Sequence, residues 1–458
     1  MKKLLYFFIL LPLLSFSQNI KGIVTTVNNE PLEDVNIYAV TGKTGTITNA
    51  KGQFSITIFS NLNANEILEF SHIGYTTARF SMQHLIKHKF KVTLEENIQN
   101  LSEVTIAQNK KLKPQLSFNK LSSLKDPIFS FGSFVKDGKI YVSGGDAYTE
   151  INYLEKGRAE RAGYDANDYI AEMQLPKPKR HYKKFLSIYD IKTNTWETSK
   201  FNLKARGYHN MHYYNNSIYI LGGKRILVNS RSSWEYLENQ IEVIDIDKQN
   251  IKFDNTNPHQ AVDFASFTYK DNIIAMGGSI KRSEKDKKEY TNKVHLYNIT
   301  SGNWYELDPM PTAKETTGIL IDDKIYLIGG NDGKPISQIE TFDLVTEKWQ
   351  IEGQLFSELE RPAIAYFDNI IYFFEDQKMY TYNIQTKLLK EFYIDIQLMY
   401  SAMYYNDSKL ILLGGRFDNN YSQVPSSKVF SIDLEEFKNT QPVKIRSLSQ
   451  GVAAAKPN

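Results

Sequence analysis

A doublet of glycines, recurring behind short runs of β-branched and aromatic residues, constrains the fold of this chain more than any other feature. A sixth position, Glu375-Asp376, has lost the glycines but keeps the apolar run before it. Seven residues before each copy stands a residue suited to a tight turn, which indicates hairpins of constant length. The doublets are Gly144-Gly145, Gly222-Gly223, Gly277-Gly278, Gly329-Gly330 and Gly414-Gly415, and the turn residues are Asp137, Asn215, Lys270, Asp322, Asp368 and Asp407.

A second repeated pattern accompanies the doublets. An aromatic or aliphatic residue, then Asp or Asn, then Ile or Leu, also occurs six times, as in Tyr189-Asp190-Ile191. A bulky residue follows the first member by seven positions in five of the six copies, and three of these are Trp196, Trp304 and Trp349. Two patterns in the same order indicate a repeat architecture rather than unrelated hairpins.

Hairpin, double glycine, Tyr-Asp and Trp at these spacings resemble the Kelch repeat, whose family fold is a β-propeller with four strands per blade. The resemblance covers residues 116–450 and implies six blades. The glycines are expected where a side chain would crowd neighbouring backbones, and the tryptophans between blades. These residues are therefore interpreted as structural.

The residues before the repeats predict a separate small sandwich of about seven short strands. The motifs VNIY, GQFSI, LEFSHIGYTT and LSEVTI, in that order, resemble the carboxypeptidase regulatory-like domain over residues 18–106. That family is a non-catalytic Ig/prealbumin-like β-sandwich, and in Bacteroidetes-type bacteria it precedes many outer-membrane receptors. Here a Lys-rich linker, 107–115, follows without a barrel, so receptor function is not carried over.

Residues 1–17 are interpreted as a signal peptide, with Lys2 and Lys3 ahead of a short apolar run and small residues before Gln18. We therefore expect an exported protein, periplasmic, surface-exposed or secreted, without a transmembrane segment in the mature chain. The absence of cysteine argues against a lipoprotein, a thiol nucleophile and cysteine metal ligands. The formal charge of +3 gives no reason to expect nucleic acid. Residues 451–458 form a tail.

In a four-stranded meander, the connections between second and third strands share one face with the connections between blades. The connections between the second and third strands are long at residues 146–182, 224–240, 279–292 and 416–426. Function concentrates on variable loops held by a rigid scaffold. We expect this face to bind a protein or glycan ligand, with an outer-membrane receptor system among the possible partners. The candidate residues are Tyr148, Tyr153, Tyr164, Tyr169, Arg206, Arg225, Arg282, Arg361 and Arg416.

No catalytic residue, cofactor or metal is predicted. No HExxH motif, calcium loop or phosphate-binding glycine loop occurs. The radical copper oxidases that share the Kelch propeller need a Cys–Tyr cross-link, which a chain without cysteine cannot form. A second hypothesis is that the chain is a sugar-anomer isomerase similar to the exported sialic-acid mutarotases, with Arg206, Arg225, Arg361 and Arg416 facing an axial pocket. A third hypothesis is that it is a purely architectural module. A deep pocket lined by Arg and Glu would favour the isomerase, and a broad face with exposed Tyr the adaptor.

The ring of blades closes when one end of the repeat region supplies the outer strand of the last blade. Both 116–124 and 443–448 could supply the last outer strand, and we expect the last blade to take the N-terminal segment, since a closed ring leaves no exposed edge.

Overall fold

The computed structural model describes residues 18–40, 44–58, 67–72, 74–96, 111–175, 180–228, 233–282 and 288–448. The interpreted signal peptide, residues 107–110 of the linker and the tail lie outside these ranges. The chain divides into two compact units, residues 1–110 and 111–458. None of the helices in the described part of the chain is long and apolar enough to cross a bilayer.

The first unit is a sandwich of two antiparallel-rich sheets around one apolar core, which includes Val24, Ile37, Phe54 and Phe70. Alternating burial along Asn36–Ala39 shows why the pattern of its sequence predicted strands. One sheet contains Gln53–Ile58, Gln18–Thr26 and Lys91–Leu94, and the other contains Thr44–Ile47, Asn36–Ala39, Ile67–Ser71 and Ala78–Ser81; the helix Met82–Lys87 follows.

Six sheets of four or five strands form the blades of the second unit, numbered 1 to 6 in chain order, and strands A to D of each blade run from the inside outwards. Blade 1 is Gly132–Lys136, Lys139–Ser143, Leu186–Asp190 and Thr195–Thr198; blade 2 is Asn210–Tyr214, Ser217–Leu221, Ile241–Asp245 and Asn250–Asp254; blade 3 is Ala265–Tyr269, Asn272–Met276, Val294–Asn298 and Asn303–Leu307; blade 4 is Gly318–Ile321, Lys324–Ile328, Ile336–Asp343 and Lys348–Leu359; blade 5 is Ala363–Phe367, Ile370–Glu375, Lys378–Asn383 and Leu388–Tyr393; blade 6 is Ala402–Asn406, Lys409–Leu413, Val429–Asp433 and Asn119–Lys120.

The turns between strands A and B are tight, as their spacing predicted. The six turn residues have left-handed φ angles between 42° and 54°, which Asp and Asn tolerate better than most residues. The A strands of all six blades line a central channel. This arrangement is the β-propeller class expected from the repeats.

The second residue of each doublet joins one blade to the next. Its backbone N–H donates to a carbonyl of the segment that leads into the following blade, at 2.7–3.0 Å in all six cases. At blade 5 the bond survives without glycine, because Asp376 adopts a φ of 41°. The donor–acceptor pairs are Gly145 to Arg206, Gly223 to Ala261, Gly278 to Lys314, Gly330 to Leu359, Asp376 to Leu398 and Gly415 to Ile128.

Blade 6 closes the ring with the N-terminal segment, as expected. Asn119 and Lys120 pair with Ser431 and Phe430, and the Phe118 ring packs edge-on against Phe430. The competing C-terminal segment, Lys444–Ser447, instead adds a fifth strand outside strand D of blade 5.

The connections between strands B and C carry structure of their own. Those of blades 2, 3 and 6 form hairpins, while blade 5 has only a two-residue turn. The long connection of blade 1 contains two helices, and its Glu150–Ile151 strand pairs with the blade 6 hairpin. The hairpins are Lys224–Val228 with Ser233–Leu237, Ser279–Arg282 with Lys288–Tyr290, and Arg416–Asp418 with Ser422–Pro425; the helices are Tyr153–Glu160 and Ala166–Gln174, and a last short helix is Glu436–Asn439.

Candidate functional site

A cavity of about 640 Å³ opens where the B–C connections meet the segments between blades. Both kinds of segment line it, so the face deduced from the meander is the face that holds the cavity. Its lining combines acidic, basic and tyrosine side chains with a few aliphatic ones. The charged and aromatic lining residues are Glu150, Arg180, Tyr208, Lys224, Glu235, Tyr236, Asp263, Lys288, Glu315, Glu360, Tyr400 and Arg416.

The six blades share an equivalent position two residues before strand A, and three of the residues there, Tyr208, Asp263 and Tyr400, line the cavity. We call the six residues at this position the axial ring: Ser130, Tyr208, Asp263, Thr316, Arg361 and Tyr400. Four of them, all except Thr316 and Arg361, have left-handed φ angles between 48° and 63°. Such strain in residues other than glycine is frequent at functional sites.

An ion pair crosses the axial ring. The Arg361 guanidinium on blade 5 contacts the Asp263 carboxylate on blade 3, although blade 4 lies between them in the ring. Asp263 lines the cavity, whereas Arg361 lines the central channel, which has a volume of about 710 Å³. The pair therefore lies at the boundary between the two spaces.

Two ring tyrosines carry cations on their faces. The Lys224 ammonium lies 4.5 Å from the centre of the Tyr208 ring, and the Arg416 guanidinium lies 4.3 Å from that of Tyr400. The Tyr208 hydroxyl donates to the Asp146 carboxylate at 3.0 Å. Burial raises the pKa of both tyrosines well above the ordinary value, so both remain neutral hydrogen-bond donors.

On the side of blades 1 and 2, the charges form a network. Arg180 lies 2.9 Å from Glu150 and 3.6 Å from both Asp146 and Glu235, and Lys224 lies 2.8 Å from Glu235. Burial raises the pKa of Asp146, and Arg180 partly offsets that effect. These contacts order the base of the blade 2 hairpin.

On the opposite side, one carboxylate differs from the rest. Glu315 is 2.9 Å from the Lys288 ammonium, but no cation lies within 4.0 Å of Glu360 among the described side chains. Glu360 accepts a hydrogen bond from the Asn331 amide at 2.9 Å and another from the Tyr400 hydroxyl. Within the described ranges, the partners of this carboxylate are thus hydrogen-bond donors and not cations.

The structure brings some of the sequence-predicted residues to this cavity. Arg416 lines it, and Tyr148 lies beside it with the Arg180 guanidinium 5.0 Å from its ring centre. Arg225 is close by, paired with Glu238 at 3.3 Å and 5.8 Å from the Tyr236 ring centre, but does not line it. The Arg282 side chain lies outside the described part of the structure.

The prediction that Arg206 faces the pocket is wrong. Its side chain is 1% exposed and lies 2.9 Å from Glu242, which is equally buried, so the guanidinium belongs to the interior of blade 2. Arg361 faces the channel rather than the loop surface. Tyr164 is also misassigned, since its hydroxyl donates to Glu172 within the two-helix excursion. Tyr153 and Tyr169 lie half-buried on those two helices and do not line the cavity.

Most of the axial ring, including Tyr208, Asp263 and Tyr400, was not predicted from the sequence. A signal existed, because five of the six ring residues stand seven positions before the tight-turn residue of their blade. The side chains at that position differ in every blade except for the two tyrosines, so no residue type repeats. Only the offset could have identified them.

Comparison with known proteins confirms the order of the two domains. Residues 20–106 match the CarboxypepD_reg-like domain, and residues 177–375 match the Kelch-repeats domain of KLHDC2, KLHL20 and DRC7. The chain therefore carries a carboxypeptidase regulatory-like sandwich followed by Kelch repeats.

Individual relatives match only parts of the chain. Kelch-like protein terF of Aspergillus terreus is 31% identical over 22% of this chain and 24% of its own length, and Kelch-like protein 41a of Danio rerio is 26% identical over 22% and 16%. The chain thus spans less than a quarter of these relatives. The solved structure of YjhT superimposes with a TM-score of 0.51 at 10% identity, covering 67% of this chain and 95% of that one, which supports the fold alone.

Proposed function

We propose that this chain is an exported, non-catalytic binding protein whose propeller holds a segment of a partner in the cavity above the axial ring. The observation that carries this proposal is the cavity itself, a concave site of about 640 Å³ to which four B–C connections contribute on one face. Its size lies within the usual range for specific ligand sites. Export is proposed from the N-terminal sequence, and mature protein beginning at Gln18 in mass spectra would support it.

The state of the polar groups favours binding over catalysis. Most lining charges are engaged by partners of opposite sign, and both ring tyrosines are held neutral by burial. Paired charges and aromatic rings fix the orientation of a ligand. A protein partner is the first candidate, a receptor system in the outer membrane included, and a glycan is the second.

Site-specific photo-crosslinking tests this function. A photoreactive residue at Gln423, on the cavity wall, should capture a discrete partner in cells that export the protein. The same residue at Asp322, in a turn between strands A and B, serves as the control. Equal capture at both positions, or none at Gln423, would count against the cavity as the binding site.

A sugar-anomer isomerase is a second candidate, because Arg and Glu side chains line the cavity. Anomer exchange needs a group that takes a proton from the anomeric hydroxyl and another that protonates the ring oxygen. Glu360, which lacks a cationic partner in the described structure, is the candidate base. Exchange spectroscopy on a panel of free sugars, with and without protein, decides between the two functions.

A further inference from the structure

The blade 2 hairpin exposes large apolar side chains beside the cavity. Leu227 and Trp234 face each other across the hairpin and are 57% and 54% exposed. Tyr236, two residues after Trp234 and hence on the same face of its strand, is 42% exposed, and Ile280 of the neighbouring hairpin is 40% exposed. We call these four residues the apolar rim. Tyr236 and Ile280 also line the cavity, so the rim is continuous with it.

The stability of the hairpin does not account for the rim. The hairpin forms its own two-stranded sheet, and its base is held by the Lys224–Glu235 ion pair and by a hydrogen bond of 2.5 Å from the Tyr182 hydroxyl to Glu235. Leu227 and Trp234 lie beyond that anchor and remain open to water. Contiguous exposed apolar side chains of this kind mark interaction sites, and Trp and Tyr are among the residues that concentrate binding energy.

The charged side chains that line the cavity indicate which charged group a ligand would carry next to its apolar side chain. Glu360, on the side of blade 5, is a carboxylate with no cation within 4.0 Å among the described residues, whereas Arg180, Lys224 and Lys288 already have acidic partners. A ligand cation would therefore add an ion pair to Glu360 beyond its described hydrogen bonds, and a ligand anion would lie beside this carboxylate. Desolvated like charges are strongly disfavoured at an interface.

We propose that the partner is a protein segment in extended conformation, with a Lys or Arg side chain that pairs with Glu360 and a large apolar side chain that packs on the apolar rim. A spherical space of 640 Å³ is about 11 Å across, which an extended chain crosses in about three residues. The two side chains should thus be two to four positions apart. Leu227 and Ile280 favour a protein over a glycan, because sugars pack on flat aromatic faces rather than on branched aliphatic groups. The inference rests on the proposed binding function and specifies its ligand.

Fluorescence polarisation with labelled, end-capped synthetic peptides tests the proposal on the full chain. Each peptide carries one Leu or Phe and, two to four positions away, Lys, Arg, Gln or Glu. Lys and Arg peptides should bind at least tenfold more tightly than Gln peptides, about 1.4 kcal/mol, and Glu peptides more weakly still. In the Glu360→Gln variant, Lys and Arg peptides should bind less than twofold more tightly than Gln peptides. The Trp234→Ala variant should bind every peptide at least fivefold more weakly.

Two matched variants serve as controls. Glu197→Gln removes an exposed carboxylate on strand D of blade 1, and Tyr305→Ala removes an aromatic side chain that is 53% exposed on strand D of blade 3. Neither residue lines the cavity, and neither should change affinity, while the melting temperature verifies the fold of all four variants. Equal or tighter binding of Glu peptides, no binding up to ~1 mM, or a glycan that binds and is lost in Trp234→Ala would overturn the proposal. A partner captured at Gln423 without a basic preference would overturn this inference and leave the proposed function standing.

Discussion

The contact between neighbouring blades can be tested at Gly277, the first glycine of the blade 3 doublet. Its φ is +68°, and a Cβ added there would lie 2.7 Å from the Lys314 carbonyl oxygen and 3.0 Å from the Met310 methyl group. That carbonyl also accepts the inter-blade bond from Gly278 at 2.7 Å. A methyl group at Gly277 must therefore either separate blades 3 and 4 or distort the bond between them.

Gly302, in a turn of the same blade, is a matched control. Its φ is +72°, but an added Cβ would have no atom within 4 Å. A left-handed conformation costs a residue other than glycine about 1–2 kcal/mol, so both alanine variants share this loss. Overpacking adds roughly 1–3 kcal/mol at Gly277 alone. We expect Gly302→Ala to lower the free energy of unfolding by about 1–2 kcal/mol and Gly277→Ala by about 2–5 kcal/mol.

Urea unfolding of the second unit, followed by tryptophan fluorescence, measures both losses, since Trp196, Trp234, Trp304 and Trp349 all lie in that unit. We expect the dependence of the unfolding free energy on urea concentration to be unchanged, because the surface exposed on unfolding stays the same. If the free energy of unfolding falls by the same amount in both variants, within ~0.5 kcal/mol, then glycine is needed at Gly277 for its left-handed backbone conformation and not for the packing of blade 3 against blade 4.

Three further predictions concern pH, ring closure and the excursion of blade 1. Burial raises the pKa of Glu375 to about 7, so the folded chain binds a proton more tightly than the unfolded chain, and stability should fall as pH rises from about 4.5 to 7. Glu375→Gln should flatten that fall in urea unfolding at pH 5 and pH 8, and an unchanged slope would assign the dependence to another group. A chain shortened to begin at residue 125 loses Leu116, Phe118 and the strand Asn119–Lys120, and should melt at a lower temperature than one that begins at residue 111; equal melting would mean that blade 6 is stable with three strands. Replacing residues 147–180 by a Gly-Ser linker should leave all six blades folded, because no blade strand lies inside that range, and should weaken partner binding at least tenfold, about 1.4 kcal/mol, because it removes Arg180 and Glu150 from the cavity. Undiminished binding by that variant would show that the excursion is not part of the site.

The architecture of the propeller could be predicted because its determinants are local and repeated. Each tight turn needs a left-handed residue and each doublet a close backbone approach, so the requirement reappears at a constant offset in every blade. Blade 5 is the exception to this repeat. Glu375 continues strand B where the other blades have glycine, and the left-handed conformation falls instead on Asp376 and Gln377.

The site was less predictable because its contacts are not local. Arg206 was expected on the binding face, yet it is buried against Glu242, which lies 36 residues later in the chain. The Arg361–Asp263 contact joins blades that are not neighbours. No spacing in the sequence encodes pairs of this kind, because only the closed ring brings them together.

Closing the ring with Asn119–Lys120 has a consequence for the timing of folding. Its partner residues, Phe430 and Ser431, follow about 310 residues later. At a synthesis rate of roughly 5–20 residues per second, the first strand waits about 15–60 s for its partner. During that interval Leu116 and Leu124, both buried in the finished molecule, have no completed core to enter. The earliest part of the propeller to be made is thus among the last to be secured.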